Sequence, residues 1–268
     1  MIPMAHNVFT VQDLTFGYTR NNLLFEDLSL TIREGCITTL IGANGSGKST
    51  LFNLLTKNLS PLSGQIFLRG GNVADLRLFD FAKLVAIVHQ TNTAPSDLTV
   101  EDLVSFGRFP HRHGTCTAHR AEAIEEDECC VNWALDVTNL QDVRKRAVSA
   151  LSGGQRQRVW IAMSLAQGSS VLLLDEPTTY LDIRYQLDIL ELVRTLNREY
   201  GMTIIMVLHD MNQALHYSDE VIALAHGRIA AQGAPEEIVT GELLREVYGV
   251  DLDVVSVNGK PFVLNVGK

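Results

Sequence analysis

Apolar spacing divides the chain into strand-like and helix-like stretches. In "FTVQDLTFGY" and "LFEDLSLTIREGCITTLIG" apolar and polar residues partly alternate, which predicts strands with turns at Thr19–Asn22 and Glu34–Gly35. "CITTLIG" is a β-branched run that ends in a glycine loop. "KSTLFNLLTKNL" then predicts a helix with Leu51, Leu54 and Leu55 as its apolar positions, broken at "SPLSG". "QIFLRG" and "LVAIVHQ" predict two further strands, the second buried and ending at Gln90. From Thr91 to about Ala150 strand runs stop. "TVEDLVSFGRF" predicts a helix capped by Thr99, and "AHRAEAIEEDECCVNWALDVTNL" has helical spacing through Ala123, Cys130, Trp133 and Leu135. The strand–helix rhythm then returns. "SVLLLDEP" is the continuous apolar run of a central parallel strand buried on both faces. "IRYQLDILELVRTLNREY" is an amphipathic helix, "MTIIMVLHD" a second buried strand, and "MNQALHYS" the start of another helix. "EVIALAHGRIAAQG" predicts a hairpin around His226–Gly227. "VDLDVVSVNGKPFVLNV" predicts another, with Asn258–Gly259 suited to a type I′ turn.

Strand–helix alternation implies a mostly parallel sheet with helices on both faces, and such sheets bind ligands at the carboxyl ends of their strands. At 46% hydrophobic and 20% charged residues the chain is expected to bury an ordinary globular core. The net charge of −9 argues against a nucleic-acid partner, whose phosphates attract basic surfaces. Cys36, Cys116, Cys129 and Cys130 form no C-x-x-C pair and read as reduced thiols. No apolar run approaches the ~18 residues of a membrane span, and "MIPMAHNVFT" lacks the pattern of a secretory signal. The expectation is a cytoplasmic chain whose membrane role, if any, comes through a partner. The acidic run Glu125–Glu128 and the basic run "VRKRA" read as solvated faces. His111, His113 and His119 read as solvated loop residues rather than metal ligands.

The chemistry concentrates at predicted strand ends. "GANGSGKS", Gly42–Ser49, fits G-x-x-x-x-G-K-[ST] after a strand and at the start of a helix. Gly45 and Gly47 let the backbone wrap β- and γ-phosphates, Lys48 reaches their oxygens, and the Ser49 hydroxyl suits a Mg²⁺ ligand. In "VLLLDEP", Asp175 can hold Mg²⁺ directly or through water, and Glu176 can accept a proton from an attacking water. Gln90 could order that water or the Mg²⁺, and His209 could contact the γ-phosphate. Each is also an ordinary polar group at a strand end. Tyr18 could stack on adenine or fill the core. "LSGGQRQRVWIAMSLAQ" has the layout of a second anion site, in which small residues expose backbone N–H groups ahead of a helix. Locally, Ser152–Gln155 could equally serve as the cap of that helix.

In order along the chain, Tyr18, "GANGSGKST", Gln90, "LSGGQ", "LLLDEP", "YLD" and His209 resemble the nucleotide-binding subunit of ATP-binding-cassette (ABC) transporters. The resemblance covers nearly the whole chain. It implies an α/β, P-loop NTPase (RecA-like) core with an antiparallel β-subdomain and an inserted helical subdomain. The expected division is residues 1–90 and 167–250 for the core, 91–166 for the helical subdomain with LSGGQ, and 251–268 for a C-terminal hairpin. The implied ligands are ATP and Mg²⁺. Tyr18, Gly42, Asn44, Gly45, Ser46, Gly47, Lys48, Ser49 and Thr50 are the implied nucleotide set, with Ser49, Gln90 and Asp175 on Mg²⁺ and Glu176, His209 and Gln90 catalytic.

In this family, Ser152, Gly153, Gly154 and Gln155 cover ATP held by a second copy, and Asp182 lies in the loop that crosses the dimer interface. Losing the γ-phosphate removes charge-assisted bonds made by both copies, so closure is favoured only before hydrolysis. Partners implied are a second copy, transmembrane permease subunits and, through them, an extracytoplasmic substrate-binding protein. The implied location is the cytoplasmic face of the bacterial inner membrane, held peripherally. "SFGRFPH", "TTYLDIRYQLDILELV" and "GAPEEIVTGELLREVYGV" look like ATPases of ferric-siderophore importers, with haem or cobalamin importers as alternatives. "HRHGTCTAHRAEAIEEDECC" departs from the family pattern. Rival readings are a soluble ABC ATPase such as an Fe–S assembly factor, a P-loop kinase or GTPase, and a module that holds ATP without hydrolysing it.

Overall fold

The computed structural model describes residues 6–19, 22–112 and 120–264. Cys116, His113 and His119 lie outside them. The chain folds as two compact units, residues 1–76 with 197–268, and residues 77–196.

The first unit holds two sheets and a separate hairpin. One sheet is antiparallel, with strands in the order Asn22–Arg33, Asn7–Thr19, Ser63–Leu68, Gly71–Asn72. In the other, Ile37–Gly42 pairs in parallel with Thr203–Val207 on one side and Glu220–Ala225 on the other. All three strands are buried throughout, as their near-continuous apolar runs require. Helix Lys48–Leu55 follows, with the glycine loop between. Both predicted hairpins form. Each carries positive φ at both turn residues, His226–Gly227 (50° and 73°) and Asn258–Gly259 (53° and 81°), the condition a type I′ turn imposes. The second hairpin is held to helix Met211–Tyr217: Asn212 donates to the Val263 carbonyl and accepts from its N–H, and Lys260 donates to the His216 carbonyl.

In the second unit Val85–Val88 pairs in parallel with Val171–Asp175. The first of these strands is shorter than its apolar run, because Leu84 closes helix Leu78–Leu84, and Gln90 lies beyond the strand. Helix Val100–Ser105 starts at Thr99, whose side chain forms a reciprocal capping box with Asp102. A tighter turn of helix follows at Phe106–His111. Helices Arg120–Val137, Gly153–Ala166 and Ile183–Tyr200 follow; the last four residues of the third belong to the first unit. No helix among the described residues is long and apolar enough to cross a membrane.

The two charged runs stay largely exposed, as expected, but single residues in each are tied into ion pairs. Arg108, only 3% exposed, donates from Nε to Asp127 Oδ1 at 2.6 Å, from Nη2 to Glu126 Oε1 at 3.1 Å, and from Nη1 to the Ala166 carbonyl at 3.2 Å. Arg112 adds a bond to Asp127 Oδ2 at 3.0 Å. A buried guanidinium has to find counter-ions, and the acidic run supplies them. The basic run is likewise tied down. Arg144 and Lys145 both reach Glu101, and chiefly the hydrogen bond from Arg144 holds that carboxyl down at about 2. Replacing Arg108 by Met would leave Asp127 with its main partner gone. We expect a loss on the order of 3 kcal/mol in urea unfolding. Glu126→Gln, at a carboxyl 68% exposed, should change stability by less than about 1 kcal/mol.

Candidate functional site

The glycine loop leaves the carboxyl end of Ile37–Gly42 and turns into helix Lys48–Leu55. Gly42 (φ 153°) and Gly47 (φ 107°) have no room for a side chain. A Cβ on Gly42 would lie 2.4 Å from the Leu224 carbonyl oxygen and 2.5 Å from Ser46 Oγ; one on Gly47 would lie 2.7 Å from the Phe25 ring. The helix begins at Gly47 with no side-chain cap and no acid in its first turn, so its first N–H groups face the loop with the positive end of the helix behind them. The buried Ser46 Oγ finds no hydrogen-bond partner among the described residues. Lys48 is buried and donates from Nζ to the Gly42 and Ala43 carbonyls at 2.7 and 3.0 Å. Asn44, Gly45 and Ser49 are exposed at the loop surface. Uncapped amides, an orphaned hydroxyl and an ammonium form a donor set that fits a polyphosphate.

Tyr18 is 71% exposed, which removes the reading of it as a core aromatic. Its hydroxyl bonds Thr50 Oγ1 at 2.9 Å and its ring meets Phe16 edge-on at 5.2 Å. One ring is thus pinned near the start of the loop's helix with much of its surface open to a base. His209 is exposed just past Thr203–Val207, and Asp210 after it caps helix Met211–Tyr217 by accepting from the Gln213 N–H.

In the second unit Asp175 is the last residue of its strand, and Glu176 follows at φ 51°, a left-handed conformation costly for a side-chain residue. That turn presents the Glu176 carboxylate to two donors: Gln90 Nε2 at 2.5 Å and Thr179 Oγ1 at 3.1 Å. Sequence reading placed Gln90 and Glu176 in one chemistry but missed Thr179, which the spacing of one turn after Glu176 could have revealed.

Ser152 and Gln155 form a capping box. The Ser152 hydroxyl accepts from the Gln155 N–H at 3.3 Å, and Gln155 Oε1 accepts from the Ser152 N–H at 3.2 Å. Within one copy they do cap the helix. Gly153 is exposed and Gly154 buried, and a Cβ on Gly154 would lie 2.3 Å from the Tyr185 ring. Tyr185 is positioned in turn by Asp182, whose side chain accepts from the Tyr185 N–H at 3.1 Å. Tyr185 carries no motif signal and appears only through this packing.

The ABC transporter family model matches residues 25–179. The petrobactin import ATP-binding protein of Bacillus anthracis is 46% identical, over 88% of this chain and 85% of that protein. The iron(3+)-hydroxamate import ATP-binding protein of Bacillus subtilis is 44% identical, over 93% and 91%. The ferric enterobactin transport ATP-binding protein of Escherichia coli is 43% identical, over 96% and 93%. Among solved structures, a chain of an inward-facing metal-chelate type ABC transporter matches with a TM-score of 0.78 at 28% identity over 96% of each chain. A dimeric ATP-binding cassette in a post-hydrolysis state with ADP and phosphate matches with a TM-score of 0.68 at 27% identity, over 84% and 98%.

The Gly154–Tyr185 packing can be tested directly. Gly154→Ala forces a methyl into the Tyr185 ring and should cost about 1–3 kcal/mol. Combining it with Tyr185→Ala should cost less than the sum of the single changes, read from a double-mutant cycle in urea.

Proposed function

The chain belongs to the ABC transporter family, with the α/β fold of a P-loop NTPase, and on that premise we propose that this ATPase powers import of an iron–siderophore complex through a separate permease. One observation carries the reading: identity of 43–46% along nearly the whole chain with three ATP-binding proteins named for iron-chelate import. It favours a siderophore cargo over haem, cobalamin or a soluble role. The three relatives are named for three different cargoes at similar identity, so the proposal stops at the class.

Each residue takes a role its surroundings support. The loop amides, Ser46 and Lys48 bind the β- and γ-phosphates, and Tyr18 stacks on the adenine. Ser49, Asp175 and Gln90 supply oxygen donors for Mg²⁺. Bound Mg²⁺ neutralises charge on the transferring phosphoryl group. Glu176, turned outward by its strained backbone, accepts the proton of the attacking water. Gln90 holds both that carboxylate and the water, and His209 contacts the γ-phosphate. The capping box commits the Ser152 hydroxyl and Gln155 oxygen to the helix, but the Gly153 and Gly154 amides at its positive end still suit an anion. We assign them, with Ser152 and Gln155, to the γ-phosphate of ATP on a second copy, with Asp182 at the interface between copies.

The permease is proposed to meet the exposed apolar side chains Leu78, Phe79, Phe106 and Phe109, of which Phe79 and Phe109 have ring centroids 6.1 Å apart. An apolar cluster of this kind on a soluble surface marks an interaction site. The subunit then works at the cytoplasmic face of the inner membrane, and reaches an extracytoplasmic substrate-binding protein through the permease alone.

In Glu176→Gln the general base is gone while both flanking donors keep an acceptor. Turnover of Mg-ATP should fall by roughly 10²–10⁴-fold. ATP should remain bound and hold two copies together as a dimer visible by light scattering. A variant that stays monomeric in saturating Mg-ATP contradicts the two-copy mechanism; unchanged turnover contradicts the role of Glu176.

A further inference from the structure

Tyr248 lies more than two hundred residues from the glycine loop, at the end of helix Gly241–Tyr248. The helix is fixed at both ends. Thr240 caps it by accepting from the Leu243 N–H at 3.2 Å, and Gly249 closes it in the left-handed conformation. Leu243, Leu244 and Val247 bury its inner face. The Tyr248 hydroxyl is thereby brought to the first residue of the loop, where it accepts a hydrogen bond from the Gly42 N–H at 3.1 Å. Burial pushes the phenol up, so it stays neutral at physiological pH.

Gly42 is held from two directions. Its N–H goes to Tyr248 and its carbonyl accepts from Lys48 Nζ at 2.7 Å. It is also confined by the Leu224 carbonyl and Ser46 Oγ, the two groups a Cβ there would strike. Any movement of this residue moves the carbonyl that orients the phosphate-binding ammonium. From this geometry we infer that Tyr248 is a positioning residue for nucleotide binding: its hydroxyl fixes Gly42, and through Gly42 the placement of Lys48. The inference rests on the reading of Gly42–Thr50 as the ATP site.

Removing the hydroxyl alone leaves a buried N–H without its acceptor, and the loop must shift to recover one. The consequence falls on the phosphates, since Tyr18 and the adenine side are untouched. In the full-length chain, Tyr248→Phe should raise the Kd for both Mg-ATP and Mg-ADP by roughly tenfold, the usual size of one buried hydrogen bond. KM should rise in step while kcat at saturating ATP stays within about twofold of wild type. A purely structural tyrosine would lower the melting temperature and leave Kd and KM alone; that result overturns the inference. Lys48→Ala, measured beside it, separates the two levels of the argument. Wild-type affinity in Tyr248→Phe with binding lost in Lys48→Ala overturns the role of Tyr248 and leaves the ATP site standing. Wild-type affinity in both overturns the site as well. Should Tyr248→Phe fold poorly, hydrogen exchange in the wild-type chain gives a second reading. The Gly42 amide should be protected without nucleotide, and rapid exchange there also overturns the inference.

Discussion

The glycine loop depends on a helix that begins without a cap of its own. Other helices do have a side-chain cap: Thr99, Ser152, Asp210 and Thr240 each accept from a first-turn N–H. At Lys48–Leu55 the capping position is Gly47, which has no side chain to offer. The first amides therefore keep their hydrogen-bonding capacity, and the helix presents it with the favourable sign of its dipole. The rest of the loop follows from bringing the backbone close enough to use them. Gly47 must lie against Phe25, Gly42 must pass between the Leu224 carbonyl and Ser46, and neither position has room for a Cβ. What this loop leaves unsatisfied is the donor set that suits a polyphosphate.

The Glu176 carboxylate, the proposed general base, is placed by backbone strain. Strand Val171–Asp175 is fixed by its apolar run, and the next residue turns into a conformation that side-chain residues avoid. Glu176 is thereby held between Gln90 and Thr179 instead of continuing the strand's alternation. The LSGGQ stretch divides its atoms differently. Ser152 and Gln155 satisfy one another, which orders the helix start in a single copy, and the glycine amides between them carry the capacity for a ligand from outside. Local capping and the proposed role toward a second copy are compatible because the Gly153 and Gly154 amides lie outside the capping box.

Much of this was legible in the residues. Motif order gave the family resemblance, β-branched and apolar runs gave the buried strands, and the His226–Gly227 and Asn258–Gly259 pairs gave two hairpins with their turn geometry. What escaped depends on residues far apart in sequence. Glu125–Glu128 looks like any solvated helix face until Arg108 is found buried against Asp127. Tyr185 matters only because Gly154 leaves no gap beneath its ring, and Tyr248 only because a C-terminal helix returns to the first loop glycine. The start of the strand before Gln90 falls one residue later than its apolar run because Leu84 serves equally well in a helix and in a strand. Pattern reports which face is buried; it does not report what the buried face meets.

Iron uptake is the most direct measure of the central claim. Cells lacking the gene would be given radiolabelled iron as several ferric siderophores, with wild type or Glu176→Gln restored from a plasmid. The account predicts that wild type restores uptake of at least one siderophore class and that the variant restores none. Uptake that is the same with and without the gene, for every siderophore offered, contradicts it.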